Sequence, residues 1–178
     1  MEFIDIYDDL GQKSGKCEDK EEVHRKALVH RGVCVWIMNS KQELLLQTRS
    51  NHVMFPGMLD ISFSGHVQAG ETSLEAVRRE GREELGINID AFKLQYLFSC
   101  HEYGGMDGYF ENEIDDVFLY RADIPIDDYS FCDNEVKEVR YISINEFKMM
   151  VESNSSMLLP YEMQYRFLLI ALSSHLMQ

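Results

Sequence analysis

Apolar and polar residues alternate over short stretches of this chain, and turn signals separate the stretches. The continuous apolar run Val33–Met38 predicts a buried strand, and the turn at 39–41 predicts that Glu43–Thr48 folds back beside it. Near the N-terminus, the turn signal Asp8–Gly11 predicts a hairpin over residues 1–18. The other predicted strands are Glu2–Tyr7, Gln12–Cys17, Asp60–Phe63, Lys93–Glu102, Glu111–Ala122 and Val136–Ser143.

Capping signals predict helices between these strands. Asp19 is placed to cap a short helix over Lys20–Leu28. Ser143, followed three residues later by Glu146, forms a capping-box pattern that starts a helix ending at about Val151. Strands mixed with helices indicate an α/β fold, in which helices cover the faces of a sheet.

A final helix is predicted over about 161–176, where apolar residues recur at helical spacing. These residues are Tyr161, Tyr165, Leu168, Leu169, Leu172 and Leu176. Such a stripe is typical of a core face or a dimer face, and it leaves a homodimer open. No internal repeat or linker interrupts the pattern, so residues 1–178 are interpreted as one domain.

Composition and charge argue against several classes of function. The 178 residues are 45% hydrophobic with a formal net charge of −14, which suits a packed core and disfavours a nucleic acid polymer as partner. The longest late apolar run, Phe167–Leu172, is far shorter than the roughly 20 residues of a membrane span. The acidic N-terminus lacks a signal-peptide pattern, and the four cysteines form no C-x-x-C pair. A cytoplasmic protein is therefore expected, with no membrane partner.

The stretch Gly65–Ile87 joins a glycine-bearing loop to a strongly marked helix. Thr72 and Glu75 form a capping box, so the helix is predicted to begin at about Ser73. Gly86 suits the left-handed position that ends a helix. One face of the helix is predicted to pack against the sheet. That face consists of Leu74, Val77, Gly81 and Leu85.

The same helix carries three closely spaced carboxylates. Glu80, Glu83 and Glu84 stand at i, i+3 and i+4, and are predicted to cluster on a flank beside the buried face. Like charges at these spacings cost about 0.2–0.5 kcal/mol per pair, and Arg79 offsets part of the repulsion. A divalent cation would remove it, because Mg2+ favours carboxylate oxygens and commonly bridges them to substrate phosphates. A solvated acidic face is the alternative, which the complete spacing with both helix ends in place disfavours.

The spacing resembles the Nudix box, G-x5-E-x7-R-E-U-x-E-E-x-G-U, in which U is an aliphatic residue. The matching residues are Gly65, Glu71, Arg79, Glu80, Glu83, Glu84, Gly86 and Ile87. Gly81 departs from the motif, because an aliphatic residue is expected there. Glycine inside a helix costs about 1 kcal/mol relative to alanine, and it would let a strand backbone approach closely.

The resemblance implies a Nudix-type α/β/α sandwich with a mixed sheet, and hydrolysis of a diphosphate-bearing small molecule. Glu80, Glu83 and Glu84 would bind Mg2+ or Mn2+, and Arg79 would orient the carboxylates. Glu83 or Glu84 would instead serve as the base for water. Arg49 and Gly65 are expected to contact the substrate. Bound metal would neutralise the phosphates and lower the pKa of a bound water.

Further motifs resemble the branch of this superfamily that includes isopentenyl-diphosphate isomerase. They are His30, LLLQTRS (44–50), FPG (55–57), SGH (64–66) and ENE (111–113). The resemblance implies a second metal site at His30, His66, Glu111 and Glu113. Glu111 and Glu113 are two apart on a predicted strand and so share a face, and mixed His and Glu ligands suit Mn2+, Zn2+ or Fe2+. Ordinary histidines beside a solvated acidic rim remain the alternative.

Isomerase activity is nevertheless disfavoured. The catalytic cysteine of the isomerases falls at Ser64, and a hydroxyl is a much weaker acid than a thiol. The isomerases also lose the box residues that match Glu80 and Glu83, which this chain keeps. Their diphosphate-binding lysines fall at His52 and Val53, and their active-site tryptophan falls at Tyr161. A hydrolase is therefore predicted first, an isomerase second, and a ligand-sensing Nudix domain without catalysis third.

Overall fold

The computed structural model describes residues 2–106, 108–132 and 134–175. The strands are β1 (Phe3–Tyr7), β2 (Lys13–Asp19), β3 (His30–Met38), β4 (Glu43–Arg49), β5 (Leu59–Asp60), β6 (Phe63–His66), β7 (Leu94–Met106), β8 (Tyr109–Arg121) and β9 (Val136–Ser143). The helices are α1 (Lys20–Arg25), α2 (Ser73–Leu85), α3 (Ile144–Glu152) and α4 (Glu162–His175).

The main sheet is mixed. Its strand order is β5-β4-β3-β8-β7, with β6 paired to β3 and β9 paired to β4. β3 and β8 run parallel, whereas the other pairs are antiparallel. β1 and β2 form a separate two-stranded sheet, in agreement with the predicted N-terminal hairpin. The predicted α/β fold class with a mixed sheet is confirmed.

Helices cover both faces of the main sheet. On one face, Val35 of β3 belongs to a buried cluster that includes Val77 of α2. On the other face, Trp36 belongs to a buried cluster with Phe147 of α3 and Leu168 of α4. Alternate residues of a strand point to opposite faces, so β3 contributes to both layers. The arrangement is the α/β/α sandwich that the resemblance implied.

The predicted hairpin of β3 and β4 is wrong for most of its length. Within the described ranges, these two strands pair only at Met38 and Leu44. β6 pairs with β3 from Gly32 to Val35, and β4 pairs with β9 instead. A strand edge has one set of hydrogen-bonding groups, so β4 must diverge where β6 occupies the edge of β3.

The bounds of α1, β7 and β8 differ from the prediction. α1 ends at Arg25 rather than at Leu28, because Ala27 takes a left-handed backbone conformation with φ of 51°. β7 and β8 run further toward their turn than predicted. The glycines at 104 and 105 continue the antiparallel pairing, opposite residues 111 and 110.

Asp116 of β8 connects α2 to the sheet. Its carboxylate accepts two hydrogen bonds of 2.8 Å from Nη1 of Arg31. It also accepts bonds of 2.6 Å from the hydroxyls of Ser73 and Ser99. Since Ser73 is the first residue of α2, this network fixes where the helix begins relative to β3 and β8.

α4 buries part of the predicted stripe. Tyr165, Leu168 and Leu172 are buried and Tyr161 and Leu169 are partly buried, whereas Leu176 lies outside the described residues. In the part of the chain that the structure describes, every helix is too short or too polar to cross a membrane. The homodimer and the cytoplasmic location stay predictions.

Candidate metal and catalytic site

α2 has the predicted ends. The Thr72 hydroxyl accepts a hydrogen bond from the Glu75 amide, and the Glu75 carboxylate accepts one from the Thr72 amide, which completes the capping box. Gly86 ends the helix with φ of 67°. Its amide donates to the carbonyl oxygen of Arg82, and glycine takes this left-handed conformation without a Cβ penalty.

The buried face of α2 differs from the prediction. The buried residues are Ala76, Val77, Glu80, Gly81, Glu84 and Leu85, and Leu74 is 36% exposed. The buried residues form three adjacent pairs that are four residues apart, and together they make one stripe along the helix. Leu74, in the first turn, lies outside this stripe. Two of the three carboxylates therefore lie within the buried stripe, rather than on a flank beside it.

The carboxylate of Glu84 is held by donors from two strands. Its Oε1 accepts from the amide of Ser64 on β6 at 3.1 Å, and its Oε2 accepts from Nε2 of Gln47 on β4 at 2.8 Å. Burial raises the pKa of Glu84 well above its usual range, and the charge of Glu80 raises it further, while both hydrogen bonds oppose the shift. Gln47 was not predicted, and its only sequence signal is a polar residue directly after the three leucines of β4.

Glu80 lies against the backbone of Gly65. A Cβ atom at Gly65 would overlap the carboxylate of Glu80, which explains the need for glycine here. Burial raises the pKa of Glu80 to about 7, although the positive charge of Arg79 opposes the shift. The neighbours of Gly81 differ from the prediction, which expected a strand backbone close to this glycine. A Cβ there would lie 3.1 Å from the Ile89 side chain and 3.4 Å from that of Phe63, rather than against strand backbone.

Arg79 connects the loop, the helix and β6. Its Nε and Nη2 donate to the Glu71 carboxylate at 3.1 and 3.0 Å, and Nη2 also donates to the carbonyl oxygen of His66 at 2.8 Å. Its Nη1 contacts Glu80 at 2.6 Å and Glu83 at 3.1 Å. The guanidinium group of Arg79 therefore fixes the positions of these carboxylates relative to one another. We call Glu80, Glu83 and Glu84 the carboxylate group.

Replacing Gly65 by alanine is expected to lower kcat/KM by at least about tenfold with a much smaller loss of stability. The new methyl group must displace the end of the Glu80 side chain, which can swing away, while the backbone stays in place. The measurements are steady-state kinetics and urea unfolding. Gly104→Ala is the matched control, because a Cβ there meets open space. Equal activities of the two variants would contradict the expectation.

A second group of ligating side chains meets at the start of β3. Nε2 of His30 lies 3.7 Å from Oε1 of Glu113, and Nε2 of His66 lies 3.9 Å from the same oxygen. Glu111 approaches from the same strand as Glu113. The four side chains proposed from the isomerase resemblance thus come together in the structure.

The structure adds His24 of α1 to this group. Ligand atoms of His24, His30, His66 and Glu111 all lie within 4.8 Å of one another. Nδ1 of His24 lies 3.0 Å from the carbonyl oxygen of Phe110, and its ring stacks on Tyr109 with centroids 4.0 Å apart. The sequence offered no signal for His24 beyond its residue type, since no local pattern relates α1 to β8. We call His24, His30, His66, Glu111 and Glu113 the histidine cluster.

The histidine cluster has the chemistry of a metal site. Burial lowers the pKa of His30 to about 4 and that of His66 well below its usual range, so both rings are neutral near pH 7 and able to ligate. Among the described residues, His30 Nε2 and Glu111 Oε2 are buried without a hydrogen-bond partner. Buried polar atoms without partners are costly, and a divalent cation would satisfy both. Three imidazoles and two carboxylates suit Mn2+, Zn2+ or Fe2+.

β6 lies between the carboxylate group and the histidine cluster. Gly65 pairs with Val33 and faces α2, whereas Ser64 and His66 pair with Cys34 and Gly32 and face the α4 side. The Glu80 carboxylate lies against Gly65 on the first side, and the imidazole of His66 lies on the second. One short strand therefore contributes to both groups.

Arg49, the last residue of β4, forms a largely buried ion pair with Asp60. Its Nη1 contacts the Asp60 carboxylate at 2.5 Å, and its Nε donates to the carbonyl oxygen of Met54 at 2.7 Å. Its side chain is 20% exposed. The positive charge of Arg49 opposes the rise that burial causes in the pKa of Glu111.

Comparison with known families agrees with this geometry. Residues 28–160 match the model of the NUDIX domain. The chain belongs to the Nudix family. The match includes the whole of α2 and four members of the histidine cluster, while His24 precedes it. The extent of the domain over residues 1–178 stays a prediction.

Relatives of this Nudix chain include both hydrolases and isomerases. It is 37% identical over 168 residues to Nudix hydrolase 3 of Arabidopsis thaliana, with 90% of this chain aligned but only 22% of the relative. It is 32% identical over 118 residues to an isopentenyl-diphosphate Delta-isomerase of Rhizobium rhizogenes, covering 66% of this chain and 56% of the relative. The predicted placement beside the isomerases is confirmed.

A solved structure has the same fold. The crystal structure of DR0079 from Deinococcus radiodurans superimposes with a TM-score of 0.73 at 25% sequence identity, over 93% of this chain and 98% of that one.

Proposed function

We propose that this Nudix protein is a divalent-metal-dependent hydrolase that cleaves a phosphoanhydride bond in a nucleoside-diphosphate-linked compound or another small diphosphate. The observation that carries the proposal is the pair of buried carboxylates on α2. Glu80 and Glu84 are 9% and 4% exposed, and the surrounding donors orient both of them. Burial disfavours the charge on both carboxylates even with Arg79 beside Glu80, and Mg2+ or Mn2+ would offset that cost.

The position of each side chain suggests its role in metal or substrate binding. Glu80 and Glu84 would hold the metal, and Arg79 would keep their oxygens in place. When bound, Mg2+ or Mn2+ would neutralise phosphate charge and lower the pKa of a bound water. Arg49 would contact the diphosphate through its partly exposed side chain, and the backbone of Gly65 would lie beside it.

Glu83 is the better candidate for the base. Its side chain is 51% exposed and contacts Arg79 at 3.1 Å, so its second oxygen is available to a water molecule. Both oxygens of Glu84 already accept hydrogen bonds, which favours a role in holding metal.

The histidine cluster favours one alternative, an enzyme that acts like an isopentenyl-diphosphate isomerase. Ser64 speaks against it, because its hydroxyl does not replace a thiol in moving a proton. A sensor that binds its ligand without turnover is the third reading, and the complete carboxylate group speaks against that.

The test is a substrate panel incubated with Mg2+ and with Mn2+. Nucleotide sugars, dinucleotides, nucleoside di- and triphosphates, and prenyl diphosphates would be compared by chromatography of the hydrolysis products. We expect metal-dependent hydrolysis of at least one of them, and no dimethylallyl product from isopentenyl diphosphate above a no-enzyme control. Isomerisation without hydrolysis would overturn the proposal in favour of the first alternative. Binding without turnover would favour the sensor.

A further inference from the structure

The N-terminal hairpin of β1 and β2 contacts the chain on both sides of the region that leads into α2. Residues 28–160 match the NUDIX domain model, so the hairpin lies outside the matched region. Ile4 of β1 and Val23 of α1 belong to a small buried cluster of their own. The amide of Tyr7 donates to the carbonyl oxygen of Val29 at 2.8 Å. The hairpin is therefore fixed to the rest of the domain directly before β3.

A tight turn over residues 68–71 lies between β6 and α2. The amide of Glu71 closes the turn by donating to the carbonyl oxygen of Gln68 at 2.9 Å. Gly70, the third residue of the turn, takes a left-handed backbone conformation with φ of 81°. The amide of Gln68 donates in return to Oε2 of Glu71 at 3.0 Å. The turn thus holds the Glu71 carboxylate in one orientation.

The two remaining amides of this turn donate to β1. The amide of Ala69 donates to the carbonyl oxygen of Phe3 at 2.8 Å, and the amide of Gly70 donates to Oδ2 of Asp5 at 3.0 Å. Nζ of Lys13 on β2 donates to the same oxygen at 2.7 Å. The bond from Gly70 and then that from Lys13 hold the pKa of Asp5 below its usual range, so the carboxylate is charged near pH 7. Asp5 is therefore the side chain through which the hairpin holds the turn.

Glu71 relates the position of the turn to the carboxylate group. Its two oxygens accept from Nε and Nη2 of Arg79 at 3.1 and 3.0 Å. Nη1 of the same guanidinium contacts Glu80 at 2.6 Å and Glu83 at 3.1 Å. Since a guanidinium is planar and rigid, a shift of Glu71 also moves the nitrogen that faces Glu80 and Glu83. A continuous series of contacts runs from Asp5 to the candidate metal ligands.

We propose that Asp5 is a positioning residue for hydrolysis, which holds the turn over residues 68–71 so that Glu71 sets the guanidinium of Arg79 against the carboxylate group. The inference rests on the proposed function and adds to it a residue from outside the matched domain. A displacement of about 1 Å caused far from the chemistry can cost on the order of 100-fold in rate, so loss of this contact has a measurable effect.

A hairpin that contributes only to stability would behave differently. Loss of Asp5 would then speed hydrogen exchange throughout the main sheet, because global unfolding exposes every amide. The kcat of the protein that remains folded would not change. A positioning role instead confines faster exchange to the turn and to Arg79, and it lowers the kcat of the folded protein.

The variants are Asp5→Ala, Asp5→Asn and Lys13→Met. Asp5→Ala removes the acceptor of the Gly70 amide. Asp5→Asn keeps one acceptor oxygen for that amide and removes only the charge. Lys13→Met removes the ion pair and keeps the carboxylate, and the Lys13 side chain is 51% exposed, so its loss leaves the core packing in place. Comparison of the three isolates the contribution of the bond to Gly70.

Hydrogen exchange is measured by NMR without added metal, at the amides of residues 68–71, at Nε of Arg79 and, as an internal reference, at the amides of β3. Asp5→Ala is expected to speed exchange at Gly70 and at Nε of Arg79 at least about fivefold, with β3 unchanged. Steady-state kinetics at saturating Mg2+ use the panel compound that the wild type hydrolyses fastest. Asp5→Ala is expected to lower kcat at least about fivefold, and the other two variants to stay within about twofold of the wild type.

The outcomes distinguish this role from the proposed function. Unchanged exchange at Nε of Arg79 in Asp5→Ala overturns the positioning role, and so does an unchanged kcat. Faster exchange throughout β3 also overturns it, as does an equal loss of activity in Lys13→Met, where the bond to Gly70 is intact. If the wild type hydrolyses no compound of the panel, the proposed hydrolase fails, and the exchange at Nε of Arg79 alone decides whether Asp5 orients the carboxylate group.

Discussion

Replacing Glu84 by glutamine is expected to lower kcat at least about 100-fold while the fold stays intact. The carboxylate accepts hydrogen bonds from the Ser64 amide and from Gln47. Glutamine keeps the size and one acceptor oxygen for Ser64, and the amide of Gln47 can rotate to offer its own oxygen to the new NH2 group. The change therefore removes the negative charge that faces the candidate metal and leaves the packing unchanged.

Glu75→Gln is the matched control for this variant. It makes the same chemical change on the same helix, and glutamine also serves at this position of a capping box. Turnover is measured at saturating Mg2+, and the fold is checked by circular dichroism and urea unfolding. Wild-type turnover in Glu84→Gln would refute the role of the carboxylate group. An equal loss in Glu75→Gln would show that a change in the helix itself lowers activity.

Replacing His24 by asparagine is expected to weaken Mn2+ binding at the histidine cluster by at least about 100-fold, since loss of an outer-shell partner alone typically costs 10- to 100-fold. Asparagine can place a donor near the position of Nδ1, which contacts Phe110 O at 3.0 Å. It has no counterpart of Nε2, which lies 3.1 Å from Nε2 of His66. The variant thus removes one candidate ligand and keeps the local hydrogen bond.

The measurement is equilibrium dialysis against Mn2+ with elemental analysis of the bound metal. His52→Asn is the control, because His52 is exposed and lies outside the cluster. The wild type and His52→Asn should bind the same number of ions, and His24→Asn should bind one fewer at micromolar Mn2+. Unchanged stoichiometry and affinity in His24→Asn would remove His24 from the candidate ligands of the histidine cluster.

Local chemistry made α2 predictable. A capping box and a glycine specify where a helix begins and ends, because they act over one turn of the chain. The side of the helix that faces the sheet was harder to predict. Leu74 looked like a core residue, but the position of the strands placed Glu80 and Glu84 inward instead. The burial of two carboxylates departs from the rule that the buried face of a helix is apolar, and such departures are expected at functional sites.

The histidine cluster depends on pairing between distant strands. The parallel register of β3 and β8 sets His30 opposite Glu113, and β6 brings His66 opposite Gly32. Local periodicity carries no information on these pairings. Four residues of the histidine cluster were therefore predicted only from the resemblance to the isomerases. His24 comes from a separate helix, α1, and has no local signal that relates it to β3.

The position of β6 should couple metal binding at the carboxylate group to metal binding at the histidine cluster. The backbone of Ser64–His66 donates to Glu84, accepts from Arg79 and carries one histidine ligand, all within three residues. An ion on either side of the strand would fix these atoms and add positive charge close to the other side. The two affinities should therefore be thermodynamically linked, and by reciprocity each ion changes the binding of the other by the same factor.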